Sequence, residues 1–240
     1  MRRELELKDF TDGKLYHKND MVKVGCNDCA GCSSCCQDMG NSIILDPFDI
    51  FQLTTNLSVS FEELMKDKIS LHLVDGVILP SLHFIERSTP TSNENGHEIC
   101  PFLNQEGRCS IHDFRPGFCR LFPLGRYYVN NSFHYILQDR ECPKENKTKV
   151  KVQKWIDLPS FSSYEKFVND WHYFLLKIET LLETSQNEEE KKTLHMHLLH
   201  TFYLQPYAVN SSNPTQKTET FYFVFAERLH KLEPILFSNL

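Results

Sequence analysis

Cys26, Cys29, Cys32, Cys35 and Cys36 fall within eleven residues, in the segment Cys-Asn-Asp-Cys-Ala-Gly-Cys-Ser-Ser-Cys-Cys. Repeated two-residue gaps bring thiolates together on one loop, an arrangement that suits a soft metal centre better than disulfides. Two registers can be read. Cys26-x2-Cys29-x2-Cys32-x3-Cys36 has the spacing of a bacterial ferredoxin cluster loop, although Gln37 replaces the proline that usually follows and no second copy of the loop exists. Cys29-x2-Cys32-x2-Cys35-Cys36 ends instead on adjacent cysteines, whose side chains are expected to point apart and to serve two centres, or to supply one ligand and one packed or reactive thiol.

Cys100, Cys109, Cys119 and Cys142 are spaced too widely for a local knuckle, so the fold must assemble them. Nine cysteines is an odd number, and a complete set of disulfides would leave one over. Eight or nine thiols suit two four-ligand centres, or one cluster with an additional zinc, and His112 could replace one thiolate. Spacing alone leaves iron–sulfur and zinc open. Several thiolates make a negative site, and Arg108, Arg115, Arg120 and Arg126 stand in the same stretch to offset it. Of these, Arg115, Arg120 and Arg126 are the candidate residues supporting a bound cofactor.

Other chemistries lack their motifs. No Gly-x-Gly pair, His-Glu-x-x-His or Gly-x-Ser-x-Gly occurs, which argues against a Rossmann or P-loop nucleotide site, a zincin and a serine hydrolase elbow. Met39 stands where a Cys-x3-Cys-x2-Cys triplet starting at Cys32 would need a third cysteine. His195, His197 and His200 share one helical stretch and read as ordinary surface or half-buried histidines. The net charge of −6 disfavours nucleic acid. The N-terminus has no apolar signal region and no run reaches the length of a membrane span, so the expectation is a cytoplasmic protein with reduced thiols and no membrane partner.

The elements that must position the cysteines follow from capping and turn signals. Residues 1–25 read as an extended polar lead-in. Asp46-Pro47 opens a helix to about Thr55, and the capping box Ser60–Glu63 opens one to about Lys68. Asp75-Gly76 and Asn130-Asn131-Ser132 each join short apolar runs into hairpins, and residues 87–97 read as loop. Residues 100–126, dense in Pro and Gly, are expected to form loops and short turns, with Gly107 at a turn. Cys142 follows the return strand of the second hairpin, which could carry it back to the other cysteines. The lysines of 147–154 suit either a solvated face or a docking surface for an acidic partner. From a capping box at Ser162–Glu165 the pattern is helical, with further helices over about 188–204 and 218–232. The expected fold class is α+β: an irregular cysteine-rich module with short β-hairpins, packed against C-terminal α-helices. The expected domains are residues 1–155 for metal binding and a helical extension, residues 156–240, packed on it as one unit.

Cys29-x-x-Cys32-x-x-Cys35-Cys36, Cys100-Pro-Phe-Leu, Gly107-Arg-Cys109-Ser-Ile, Arg115-Pro-Gly-Phe-Cys119-Arg-Leu-Phe-Pro123 and Cys142-Pro143 together resemble the YkgJ-type cysteine-cluster family, described as a zinc- or iron-chelating domain. The resemblance covers about residues 22–145. It implies Cys29, Cys32, Cys35, Cys36, Cys100, Cys109, Cys119 and Cys142 as ligands, with Cys26 outside the short motif. Flagellin lysine N-methylases of bacteria share the pattern, with an iron–sulfur cluster in methyl transfer, although the Arg-Pro-Gly-Phe-Cys-Arg stretch is closer to the general family. The expected cofactor is an iron–sulfur cluster of [4Fe-4S] type or zinc, with room for two centres. The expected function is redox chemistry or cluster-dependent protein modification with a protein substrate or redox partner; the alternative is a structural zinc module that binds proteins.

Overall fold

A computed structural model describes residues 7–26, 32–87, 97–209 and 211–237 of the chain. In chain order its elements are α1 (Leu7–Phe10), β1 (Met21–Gly25), α2 (Pro47–Leu57), α3 (Phe61–Leu64), β2 (Ile69–Val74), β3 (Val77–Leu82), β4 (Ile85–Arg87) and β5 (His97–Ile99). There follow α4 (Gly117–Leu121), β6 (Leu124–Val129), β7 (Ser132–Leu137), β8 (Thr148–Lys151), α5 (Val152–Ile156), α6 (Phe161–Thr184), α7 (Glu188–Leu199) and α8 (Pro214–Phe237). Among the described residues the strands form four two-stranded sheets, β1–β8, β2–β3, β4–β5 and β6–β7, and the class is α+β. No helix among these residues is long and apolar enough to cross a membrane.

The chain divides into two compact units, one from the described residues of Met1–Ile43 and Leu82–Asp157, the other from those of Ile44–Ser81 and Leu158–Leu240. This differs from a single division near residue 155, because residues 44–81 count with the C-terminal helices. Aromatic packing gives the reason. Phe48 and Phe51 of α2 meet Phe221 of α8 at ring-centroid distances of 5.1 and 4.9 Å. Phe167 and Trp171 of α6 pack edge-on against Phe225 and Phe202, at 4.6 and 5.1 Å. Each such ring, fully buried, contributes roughly 1.5–3 kcal/mol. The Tyr203 hydroxyl donates to the Leu45 carbonyl, and burial holds its proton well above the usual tyrosine range.

Local signals account for most boundaries. Asp46 caps α2 in a reciprocal capping box with Asp49, and Ser60 does the same for α3 with Glu63. α3 ends at Leu64, short of Lys68, and continues only as turns. Asp75 and Gly76, like Asn130 and Asn131, have positive φ, the conformation that a two-residue hairpin turn requires. The helical pattern after residue 160 starts earlier than the Ser162 box suggests: α6 begins at Phe161, and its cap Ser160 makes no side-chain capping bond. α7 runs into a π-helical turn, His200–Leu204, before the chain turns towards α8. His195 bonds the Gly76 carbonyl through Nε2. The loop expected over 87–97 lies outside the described residues except at its ends.

In the first unit the polar lead-in is not simply extended. α1 and β1 form within it, and β1 pairs antiparallel with β8 across more than a hundred residues, with Val22 opposite Val150 and Lys23 opposite Lys149. Val22 and Val24 are buried while Lys23 is exposed, so the ribbon has an inner apolar face and an outer cationic one. Gly25 ends β1 where no side chain fits: a Cβ there would collide with the Thr148 side chain and come within 2.9 Å of Val150 Cγ2.

Candidate metal centre

Backbone pairing brings the two cysteine segments together. Ser34–Cys36 forms one 3₁₀ turn, and the next residue, Gln37, bridges Ile99 at the end of β5. The Cys100 N–H donates to the Cys36 carbonyl at 2.9 Å, which fixes these two cysteines beside each other. Cys109 returns to the same place by a tight turn: Leu103 bridges Cys109, the Arg108 N–H donates to the Asn104 side chain at 2.7 Å, and Gly107 takes positive φ. Past the short 3₁₀ turn His112–Phe114, α4 presents Cys119 and Arg120.

The result is a cavity of about 680 Å³ lined by seven of the nine cysteines: Cys26, Cys32, Cys35, Cys36, Cys100, Cys109 and Cys119. Cys29 lies outside the described residues. Cys142 is half-buried and is not on this lining; its carbonyl accepts a hydrogen bond from Lys147 Nζ at 2.9 Å. The adjacent Cys35 and Cys36 do not point apart. Although a 3₁₀ turn separates successive side chains by about 120°, both line the cavity and their thiols are hydrogen-bonded to each other.

Arg108, Arg115, Arg120, His112 and Lys154 line the same cavity, with Asp113 and Asp157. Arg115 donates to the His112 carbonyl at 2.7 Å. Arg120 is buried, and its guanidinium donates to the carbonyls of Asp113, Asp157 and Ile156 at 2.6, 3.2 and 3.3 Å. Arg126 is elsewhere, with its guanidinium 5.7 Å from the centre of the Phe133 ring in the β6–β7 hairpin. Lys154 and Trp155 of α5, with Thr148 and Val150 of β8, are lining residues that the sequence reading missed. The alternation Thr148-Lys-Val-Lys151 was the local signal for the two strand residues, since it turns Thr148 and Val150 opposite to the lysines.

The thiols divide by environment. Hydrogen bonds from the Ser34 backbone and hydroxyl lower the pKa of Cys32, helped by the charge of Lys144. The deeper ones resist ionisation. The Cys36 hydrogen bond, burial and neighbouring thiolate charge raise Cys35; the Cys100 hydrogen bond and burial push Cys36 up to about 12; burial raises Cys109. Among the described residues no three His, Cys, Asp or Glu side chains form a ready-made metal-binding group, so the thiols share a cavity without converging on one point.

Residues 28–143 match the family model named CxxCxxCC, described as a putative zinc- or iron-chelating domain. The match covers a little under half of the chain, and this segment is similar to that domain. It takes in every cysteine except Cys26, and it runs through both compact units. No curated protein and no solved structure matches the chain. The donor chemistry of the CxxCxxCC domain fits a soft metal: soft thiols surround one cavity, and cationic side chains stand among them to offset the charge of their thiolates.

The raised pKa of Cys36 predicts a pH response. An unfolded cysteine ionises near pH 8.5, so between there and about 12 the unfolded chain binds fewer protons than the folded one. Stability of the metal-free protein is therefore fully present below about pH 8.5 and falls as pH rises towards 12. Metal binding must displace the thiol protons, so metal affinity has the opposite dependence and rises with pH. Thermal melts of chelator-treated protein between pH 7 and 11 check the first statement, and zinc titrations over pH 6–8 the second.

Proposed function

We propose that the CxxCxxCC domain holds an iron–sulfur cluster on its cavity-lining cysteines and serves redox chemistry or cluster-dependent modification of a protein. The observation that carries this reading is the cavity itself: seven thiols together with Arg108, Arg115, Arg120 and Lys154 around about 680 Å³, more room than a single ion fills. Such cations offset the negative charge of a thiolate-bound cluster. Cys36, Cys100, Cys109 and the hydrogen-bonded Cys35 are the inner ligand candidates, with Cys26, Cys32 and Cys119 on the remaining wall. The bound group would supply electron transfer, and a [4Fe-4S] form would take four of the seven thiols. The half-buried Arg108 and Arg115 would orient an anionic or carbonyl group of the substrate, and Trp155, Phe122 and Phe84 would shield the cavity from water. Lysine methylation is one modification of this kind: a separate methyl donor of the sulfonium class would give its methyl group to the substrate amine, leaving as the thioether while the amine loses a proton.

A second reading, a structural zinc site that supports protein binding, rests on Cys35, Cys36, Cys100 and Cys109, which interact in pairs and equal in number the four thiolates that zinc takes. Anaerobic purification with iron, acid-labile sulfide and zinc analysis separates the two. Brown protein with a broad band near about 400 nm and matching iron and sulfide is expected for a cluster. Colourless protein with stoichiometric zinc that unfolds on chelation would reject the redox and modification readings.

A further inference from the structure

The outer face of the β1–β8 ribbon is cationic by construction. Lys23 and Lys149 are direct cross-strand partners, and Met21 stands opposite Lys151. Like charges directly opposite one another destabilise a strand pair, so this pairing works against the fold that contains it. Lys23, Lys149 and Lys151 are all exposed, and no ion pair among the described residues engages them. Around the ribbon edge a concavity of about 600 Å³ collects five lysines, Lys14, Lys23, Lys144, Lys147 and Lys149, against two aspartates, Asp12 and Asp139. Asp12 is already engaged by the Tyr16 hydroxyl and the Lys14 N–H. Met21, 49% exposed, and Leu137 give the same concavity an apolar floor.

We propose that this ribbon face docks an acidic segment of a partner protein, its carboxylates on Lys23, Lys149 and the neighbouring lysines and an apolar side chain over Met21. Charge complementarity selects the occupant. The whole chain carries −6, which repels extended polyanions such as nucleic acid or an anionic membrane at long range, whereas a short carboxylate-bearing segment meets only the local lysines. The ribbon is also a wall of the cysteine cavity, since Gly25, Thr148 and Val150 line it. A partner on the outer face is therefore separated from the cysteine site by one layer of backbone, a useful position for a redox partner or a protein substrate.

The test measures binding of a fluorescent oligoglutamate peptide to the full chain as purified, with iron and zinc content determined in parallel. It compares wild type, Lys23→Glu, the double variant Lys23→Glu/Lys149→Glu, and Lys192→Glu on the helical unit as control. The expected result is binding that weakens as salt rises, is lost by about tenfold or more in the double variant and is unchanged in the control. The single Lys23→Glu change puts a carboxylate opposite Lys149, so its melting temperature should rise while peptide binding falls, a combination that general misfolding does not produce. Equal peptide affinity in the double variant and wild type overturns the proposal, as does absence of peptide binding at low salt. Tighter, lysine-dependent binding of a mixed-sequence DNA duplex or of phosphatidylserine-containing vesicles overturns it in favour of those partners. The docking face does not rest on the metal reading: protein lacking metal but binding the peptide through Lys23 and Lys149 would refute the one and support the other.

Discussion

Serine in place of Cys36 or Cys100 is expected to remove the bound metal from the purified protein. The two residues are joined through the Cys100 N–H and the Cys36 carbonyl, and their thiols are hydrogen-bonded within the cavity. A serine hydroxyl stays protonated where a thiolate is needed, so the expected loss in affinity is of order a hundredfold or more. Metal analysis per chain and competition with a chromogenic chelator measure it. Cys142→Ser provides the comparison, because Cys142 is not on the cavity lining although the family motif includes its position. Metal retained by Cys142→Ser and lost by Cys36→Ser would support the cavity as the binding site. Equal loss in both would mean that the segment around Cys142 closes on the cavity when metal enters.

The second large effect should come from Arg120→Met. The Arg120 guanidinium is buried and holds three backbone carbonyls, two of them at the end of α5, where helix carbonyls have no partner within the helix. Methionine fills much of the volume but leaves those acceptors without a donor. At roughly 1–3 kcal/mol for each buried group left unsatisfied, a loss of about 3 kcal/mol or more is expected. Lysine should restore little, because one ammonium cannot reproduce the planar fork that reaches Asp113, Ile156 and Asp157 together. Urea denaturation of metal-free protein measures the change without interference from metal linkage. A loss below about 1 kcal/mol would show that water satisfies these carbonyls as well as the guanidinium does.

Arg120 also shows where sequence reading stops. Its place near the cysteines was legible as a charge in a cysteine-rich stretch, but its three acceptors lie on α5 and on the turn before α4, which only the fold brings together. The same holds for β1 and β8. Each alternates apolar and cationic residues over so short a span that neither identifies a strand without the other. Hairpins closed by Asp75-Gly76 and Asn130-Asn131 were legible because their backbone demands are local. Helices opened by Asp46 and Ser60 were legible for the same reason, as was the cysteine pattern that residues 28–143 share with the CxxCxxCC family. The shared facing of Cys35 and Cys36 was not, because a 3₁₀ turn leaves no distinct signature in three residues.

The order of segments along the chain has a consequence for how the protein is made. The cysteine cavity needs both the loop ending at Cys36 and the ribbon and helix ending at Asp157, yet the intervening segment Ile44–Ser81 belongs with helices still later in the chain. During translation Cys26, Cys32, Cys35 and Cys36 leave the ribosome about 120 residues before the last wall of their cavity, an interval on the order of ten seconds. Throughout that interval they are an open chelating peptide, exposed to oxidants and to whichever thiophilic metal the cell holds most freely. The wall that residues 148–157 add to the cavity reaches these thiols only after that interval has passed.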